Sequence, residues 1–293
     1  MSDLPQVVLP VATIRTQPKV LIAMPWLKHT NPLTAFSIMG LHDPRRTGLL
    51  MHAGDAFVAH SRNRCADSFL RSGLEWMLMV DDDMMLPFGN AGYFNTHSGF
   101  NLPEKFAGMH TLDRLLSHGK TLVGGLYFGR HPNGAPMYSE GASAEEADRI
   151  RRRAPEDRIA PTNWVATGCM MVHKSVFEDI EKTFPILARN PDGKGGNWFT
   201  SSEHELREGL AKLEKELLTG SMTAERGAMA LDRIVSLRRH AEKNSSLGMG
   251  EDVQFCIRAK QSGHQPYVDF GLVCSHIGTA HYGPRNTSRR PNK

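Results

Sequence analysis

Trp76-Met77-Leu78-Met79-Val80-Asp81-Asp82-Asp83 is a run of five apolar residues that stops abruptly in three acids, before Met84-Met85-Leu86-Pro87. Apolar side chains without alternation are what a parallel strand buried on both faces requires. In an open α/β sheet, ligands sit just beyond the carboxyl ends of the strands, so the acids fall where a ligand would lie. Neighbouring carboxylates repel one another, which gives three of them at a strand end a reason to hold a cation. Oxygen ligands at a half-open edge suit Mg²⁺ or Mn²⁺, with substrate phosphates completing the shell. The plainer alternative is an acidic surface turn.

Upstream, Val58, Cys65, Phe69 and Leu70 share a helical face, with Gly73 as the C-terminal stop. Ser61, Arg62, Asn63 and Arg64 occupy the early part of this helix. Further back, Lys19 to Trp26 reads as a first buried strand, closed by Pro25. A loop rich in Pro, Thr and His joins that strand to about Gly54, and residues 1–18, with three prolines, read as an arm. Strand, helix, strand is the opening of a mostly parallel sheet with right-handed crossovers.

Downstream, residues 88–109 have no clear period and read as a substrate-covering lid or an irregular excursion. Leu112, Leu115 and Leu116 mark a helix, and Thr121 to Phe128 a strand. Residues 129–161 read as a polar surface excursion with a short helix near Ala144 to Arg153. Asn163 to His173 reads as strand, glycine turn, strand. An αα-hairpin insertion is expected over residues 200–247, with Leu206, Leu210, Leu213 and Leu217 on one face. It carries no catalytic residue types and reads as a packing or subunit-contact surface, the basis for expecting a homo-oligomer. Glu251 and Asp252 then open a helix whose stop is Gly263, and two short strands, Pro266 to Phe270 and Gly271 to His276, follow.

Composition narrows the class. At 293 residues and 40% apolar content the chain has material for a real core. It contains no run of about 18 apolar residues, so no membrane span is expected. Met1-Ser2-Asp3-Leu4-Pro5 lacks signal-peptide character. Cys65, Cys169, Cys256 and Cys274 form no C-x-x-C pair and read as free thiols in a reducing, cytoplasmic setting. Net charge is only +4, but it concentrates in Arg149 to Arg153 and in a basic tail, residues 284–293. Such clusters are solvated surface or phosphate contacts. There is no P-loop, G-x-G-x-x-G or G-x-S-x-G elbow.

The ordered set resembles the GT-A superfamily of nucleotide-sugar glycosyltransferases, especially family-2-like members. It comprises Val20 to Pro25, the Arg62-Asn63 helix, Asp81-Asp82-Asp83, Thr167-Gly168-Cys169-Met170, Gly250 to Phe255 and Cys274-Ser275-His276. The resemblance covers roughly residues 19–128 and 163–283 and omits the hairpin and the terminal arms. It implies an α/β GT-A (Rossmann-like) fold in one domain and a D-x-D motif that binds a divalent metal, Mn²⁺ or Mg²⁺. By the same resemblance Asp83 and Asp81 would be metal ligands, with Asp81 also facing the sugar or ribose and Asp82 between them. His276 would be a further ligand, Pro25 and Trp26 would lie near the base, and Arg62 near the nucleotide. Gly168 and Cys169 would form the small-residue turn beside the donor sugar. Asp252, beside Glu251, would be the base in an inverting enzyme, or an orienting group in a retaining one.

The reading is therefore a metal-dependent glycosyltransferase using a nucleotide-diphosphate sugar donor. Its acceptor hydroxyl is open: saccharide, protein, small molecule, or a modified base in nucleic acid held by the basic clusters. A sugar nucleotidyltransferase would show a glycine-rich basic loop where Met24 to His29 stands. A GT-A-like binding module without turnover is the non-enzymatic alternative.

Overall fold

The computed structural model describes residues 19–26, 30–53, 58–130, 135–138, 144–189, 195–200, 202–243, 249–278 and 281–282. The expected arm and basic tail lie outside them. The first half of the chain forms β1 (Val20–Trp26), α1 (Pro32–Leu41), β2 (Thr47–Ala53), α2 (Val58–Ser72), β3 (Trp76–Val80) and β4 (Met84–Met85). It continues through α3 (Ala91–Ser98), α4 (Glu104–Ala107), α5 (Thr111–Ser117), β5 (Leu122–Leu126) and α6 (Ala144–Arg153). The second half forms β6 (Ile159–Pro161), β7 (Cys169–His173), α7 (Lys174–Thr183), α8 (Ser202–Leu218) and α9 (Ala224–Lys243). It ends in α10 (Glu251–Gln261), β8 (Tyr267–Val273), β9 (Ser275–Ile277) and β10 (His281–Tyr282).

Seven strands form one sheet in the order β2-β1-β3-β7-β5-β8-β6. Strands β2, β1, β3, β5 and β8 run one way, and β7 and β6 run against them. The result is a mixed, mostly parallel, Rossmann-like α/β sheet flanked by helices. Strand β3 lies inside it, between β1 and β7, and its residues alternate between two cores. Met77 and Met79 pack with Phe69, Phe177 and Phe255 on one face, while Leu78 and Val80 pack with Ile38, Leu41, Leu112 and Leu115 on the other. That double burial is why the strand shows no apolar–polar alternation. Among the described residues, no helix is long and apolar enough to cross a membrane. All four cysteines are buried and free.

Four local expectations change, the first being that Asn163 to Thr167 forms no strand, only an isolated bridge from Val165 to Tyr138. The stretch 88–109 is not a lid but a packed layer: Phe94, Phe100, Leu102 and Phe106 are buried. Asn90 caps α3, and the Asn95 side chain bonds both the amide and the carbonyl of Leu102. Short helices bury isolated aromatics without displaying a long period, so the pattern hides them. The loop expected before Gly54 contains α1, opened by an Asn31 cap and a proline in its first turn, and the edge strand β2. The break between the two late strands falls at Cys274 instead of Phe270: β8 runs through Gly271 to Val273, and Ser275 and His276 belong to the separate β9. The hairpin helices α8 and α9 form within the expected span and leave Leu210, Leu217, Met229 and Leu231 exposed.

Candidate active site at the carboxyl edge of the sheet

Register places the site. In the parallel pair, Ala23 of β1 lies beside Met79 of β3, which brings Pro25 level with the start of the acid cluster. In the antiparallel pair, Cys169 of β7 lies beside Val80, so Gly168 meets the same edge. Pro25, Gly168 and Cys169 are all buried there. The side chain of Trp26 lies outside the described set.

The three acids then separate into different environments. Asp81 accepts a hydrogen bond at 2.7 Å from Nη2 of Arg62, which is 5% exposed near the start of α2. Nη1 of the same guanidinium bonds Glu251 at the start of α10. Burial opposes the Arg62 charge, but Asp81, Glu251 and Asp252 together hold its pKa above the ordinary value. The neighbouring Asn63 pins the segment before the hairpin, donating to the Phe199 carbonyl at 2.8 Å and accepting from its amide at 2.7 Å. The Asp82 carbonyl accepts from the Asn31 amide at 3.0 Å, tying the turn to α1.

Asp83 faces a second compartment. Directly after it, β4 pairs with β9, setting Met84 opposite His276, and the Ile277 amide donates to the Asp83 carbonyl at 2.8 Å. His276 Nε2 thereby comes within 3.3 Å of Asp83 Oδ2. Its Nδ1 lies 2.9 Å from the Phe128 carbonyl, to which it must donate. That fixes the tautomer and leaves the Nε2 lone pair aimed at the site. Burial lowers the His276 pKa, favouring this neutral ring. Arg130 supplies the cation, donating from Nε to His276 Nε2 at 2.9 Å and from Nη2 to Asp83.

This pair suits a divalent ion. Asp83 Oδ1 is buried with no hydrogen-bond partner, an orphan acceptor that a cation would satisfy. A neutral imidazole nitrogen lies beside the same carboxylate; its lone pair accepts from Arg130 Nε here, so an ion bound at this place would displace that guanidinium. Among the described residues, however, no three His, Cys, Asp or Glu side chains gather as a metal-binding group. The protein could thus offer Asp83 and His276, with donor phosphates and water making up the shell. Asp81 stays on Arg62 in this geometry, apart from the ligand pair.

On the Arg62 side, within reach of Glu251, Arg62 and Asp81, lies Asp252, whose pKa is raised to about 6, chiefly by burial and next by Glu251, with Arg62 opposing. Tyr127, just past β5, is buried, and its phenol is held well above its ordinary pKa by burial and by Asp81 and Asp252. Its neutral hydroxyl accepts from the Gly168 amide at 2.9 Å. A Cβ at position 168 would stand 2.6 Å from the Tyr127 ring. Gly168→Ala is therefore expected to cost about 1–3 kcal/mol, the usual penalty for overpacking, as a lowered denaturation midpoint. An unchanged midpoint would show that the ring moves freely.

Arg130 and Tyr127 belong to no motif in the sequence. Both follow the carboxyl end of a strand, and that position was the one signal that could have singled them out.

No protein-family model matches the chain, and no curated protein matches it in sequence. A solved structure, the crystal structure of A197 from STIV, matches over 94% of this chain and 98% of that one, at a TM-score of 0.45 and 11% identity. A likeness that distant leaves the functional reading to the geometry of the site.

Proposed function

We propose that this protein is a GT-A-like glycosyltransferase that moves a sugar from a nucleotide-diphosphate donor to an acceptor hydroxyl, with a divalent ion held by Asp83 and His276. The observation that carries the reading is Asp83 at the end of the central strand, whose Oδ1 is buried without a partner while its Oδ2 lies 3.3 Å from Nε2 of the neutral His276 ring. An ion there would stabilise the charge that develops on the departing diphosphate. Asp252 has the chemistry of the base: with a pKa of about 6 it is mostly ionised at neutral pH, yet basic enough to take a proton. As the acceptor oxygen bonds to the anomeric carbon, its proton passes to Asp252. The bond from that carbon to the phosphate oxygen breaks, and its electron pair leaves with the nucleoside diphosphate. Arg62 holds Asp81 and Glu251 in place on either side, and Gly168 keeps the sugar's position clear of bulk.

Arg130 favours a second reading, in which its guanidinium takes the place of the ion. The same experiment separates the two: thermal unfolding with nucleotide-diphosphate sugars, with and without Mn²⁺, since a ligand bound only to the folded state raises the midpoint. The metal reading expects a shift that needs both components, disappears in Asp83→Ala and survives in Arg130→Ala. A shift that is independent of Mn²⁺ and lost in Arg130→Ala would replace the metal by arginine. No shift with any donor would sink the transferase reading.

A further inference from the structure

A cavity of about 450 Å³ opens beside the sheet's far edge, lined by Tyr138, Arg149, Arg158, Lys260 and Phe270 among others. It continues into a second of about 370 Å³ that shares Arg149, Arg158 and Phe270 and adds Arg153 and Glu156. Among the described residues, four cations and one carboxylate, Glu156, thus line the groove. That carboxylate is bonded to Arg158 Nε at 3.1 Å. The groove forms because Ile150 of α6 and Ala154 just after it turn into the core, leaving Arg149 and Arg153 exposed.

The floor is aromatic. The Arg158 guanidinium lies over the Phe270 ring, 3.7 Å from its centroid, and Phe270 makes an edge contact with Tyr138 at 5.3 Å. Phe270 is buried, whereas the Arg158 side chain is 48% exposed. A guanidinium is therefore seated over a buried ring, with about half of its side chain exposed to solvent. That is a stacking platform for a nucleobase, and the flanking cations suit the phosphates on either side of it.

We propose that this groove takes a nucleotide unit of single-stranded nucleic acid, with the base on Arg158 and the backbone along Arg149, Arg153 and Lys260. An anionic glycan would use the charges but has no flat ring to place on Arg158. Lys260 and Asp252 sit near opposite ends of α10, roughly 12 Å apart along its axis at ~1.5 Å per residue. A strand gripped at Lys260 could reach Asp252 with its next nucleotides. Strand binding does not rest on the proposed transferase chemistry; only the further step, that the strand is the acceptor, does.

The test is fluorescence anisotropy of a labelled single strand of about 15 nucleotides, longer than most single-domain footprints, titrated with the whole chain over a range of KCl. The expected result is binding that weakens about tenfold or more in both Arg158→Ala and Arg158→Lys, since lysine restores charge but not a plane. Lys260→Ala should flatten the log–log salt slope by about 0.7, and Asp83→Ala should bind the strand like the unaltered chain. Because Lys260 is exposed, that variant reports on the groove even where an Arg158 variant loses stability. No binding by the unaltered chain would overturn the proposal. So would full affinity in Arg158→Lys together with equally tight binding of a sulfated oligosaccharide, which would make the groove an anionic-glycan site.

Discussion

Arg62→Ala is expected to cost roughly 3 kcal/mol of unfolding free energy and to abolish donor binding. Removing one partner of a buried ion pair typically costs about 3–5 kcal/mol, because the remaining charge is left uncompensated. Here the guanidinium is buried while the Asp81 and Glu251 side chains keep 25% and 18% of their exposure, so water screens part of the loss and the lower figure applies. The substitution would leave Asp81, Glu251 and Asp252 facing one another without a cation. It also removes the group that opposes the rise of the Asp252 pKa, so any residual transfer should have its pH profile displaced upward. Urea unfolding reads the first effect directly. A loss below about 1 kcal/mol, the range of an exposed pair, would show that the guanidinium is not the keystone described here.

Asp252→Asn should do the opposite to stability and still end transfer. A carboxyl group with a folded pKa of about 6 against an ordinary 3.8 binds its proton more tightly in the native state than in the unfolded one. Stability attributable to it therefore falls as pH rises from about 4 to about 6, and the full cost, about 2–3 kcal/mol at ~1.4 kcal/mol per pKa unit, is present above that. An asparagine carries no such charge, so the variant should gain up to that amount at pH 7 and nothing near pH 4. Donor binding should persist, because Asp83 and His276 are untouched, while the acceptor proton has nowhere to go. Denaturation midpoints at the two pH values give the sign. Equal stability at both pH values would remove the electrostatic strain, and full transfer by the variant would remove Asp252 from the base role.

Several layers of this protein are legible along the chain. Strand β3 declares itself because both its faces are buried and it holds no polar residue before Asp81. Helices α2, α6 and α10 declare themselves because they are long enough to show a period or a stop, with Gly73 and Gly263 taking the positive φ that ends a helix. Asp81, Asp83, Asp252 and His276 can be singled out as candidates in the same way, because charged and titratable side chains at strand and helix ends are local facts.

Their grouping is not local. Nothing between Asp81 and Glu251 in the chain says that Arg62 joins them, since that contact depends on three elements meeting at one edge. The separation of Asp83 from Asp81 is likewise decided by the two-residue pairing of β4 with β9, too short to leave a pattern. The packing of residues 88–109 depends on where Phe94 and Phe106 find apolar neighbours. Arg130 enters the site only because β5 ends beside β9, and Arg158 becomes a platform only because β8 brings Phe270 beneath it. Sequence determines what each segment can bury and which charges it must expose. Tertiary structure decides which of those charges share a dielectric, and hence which are paired, which are shifted and which are left with a lone pair to offer.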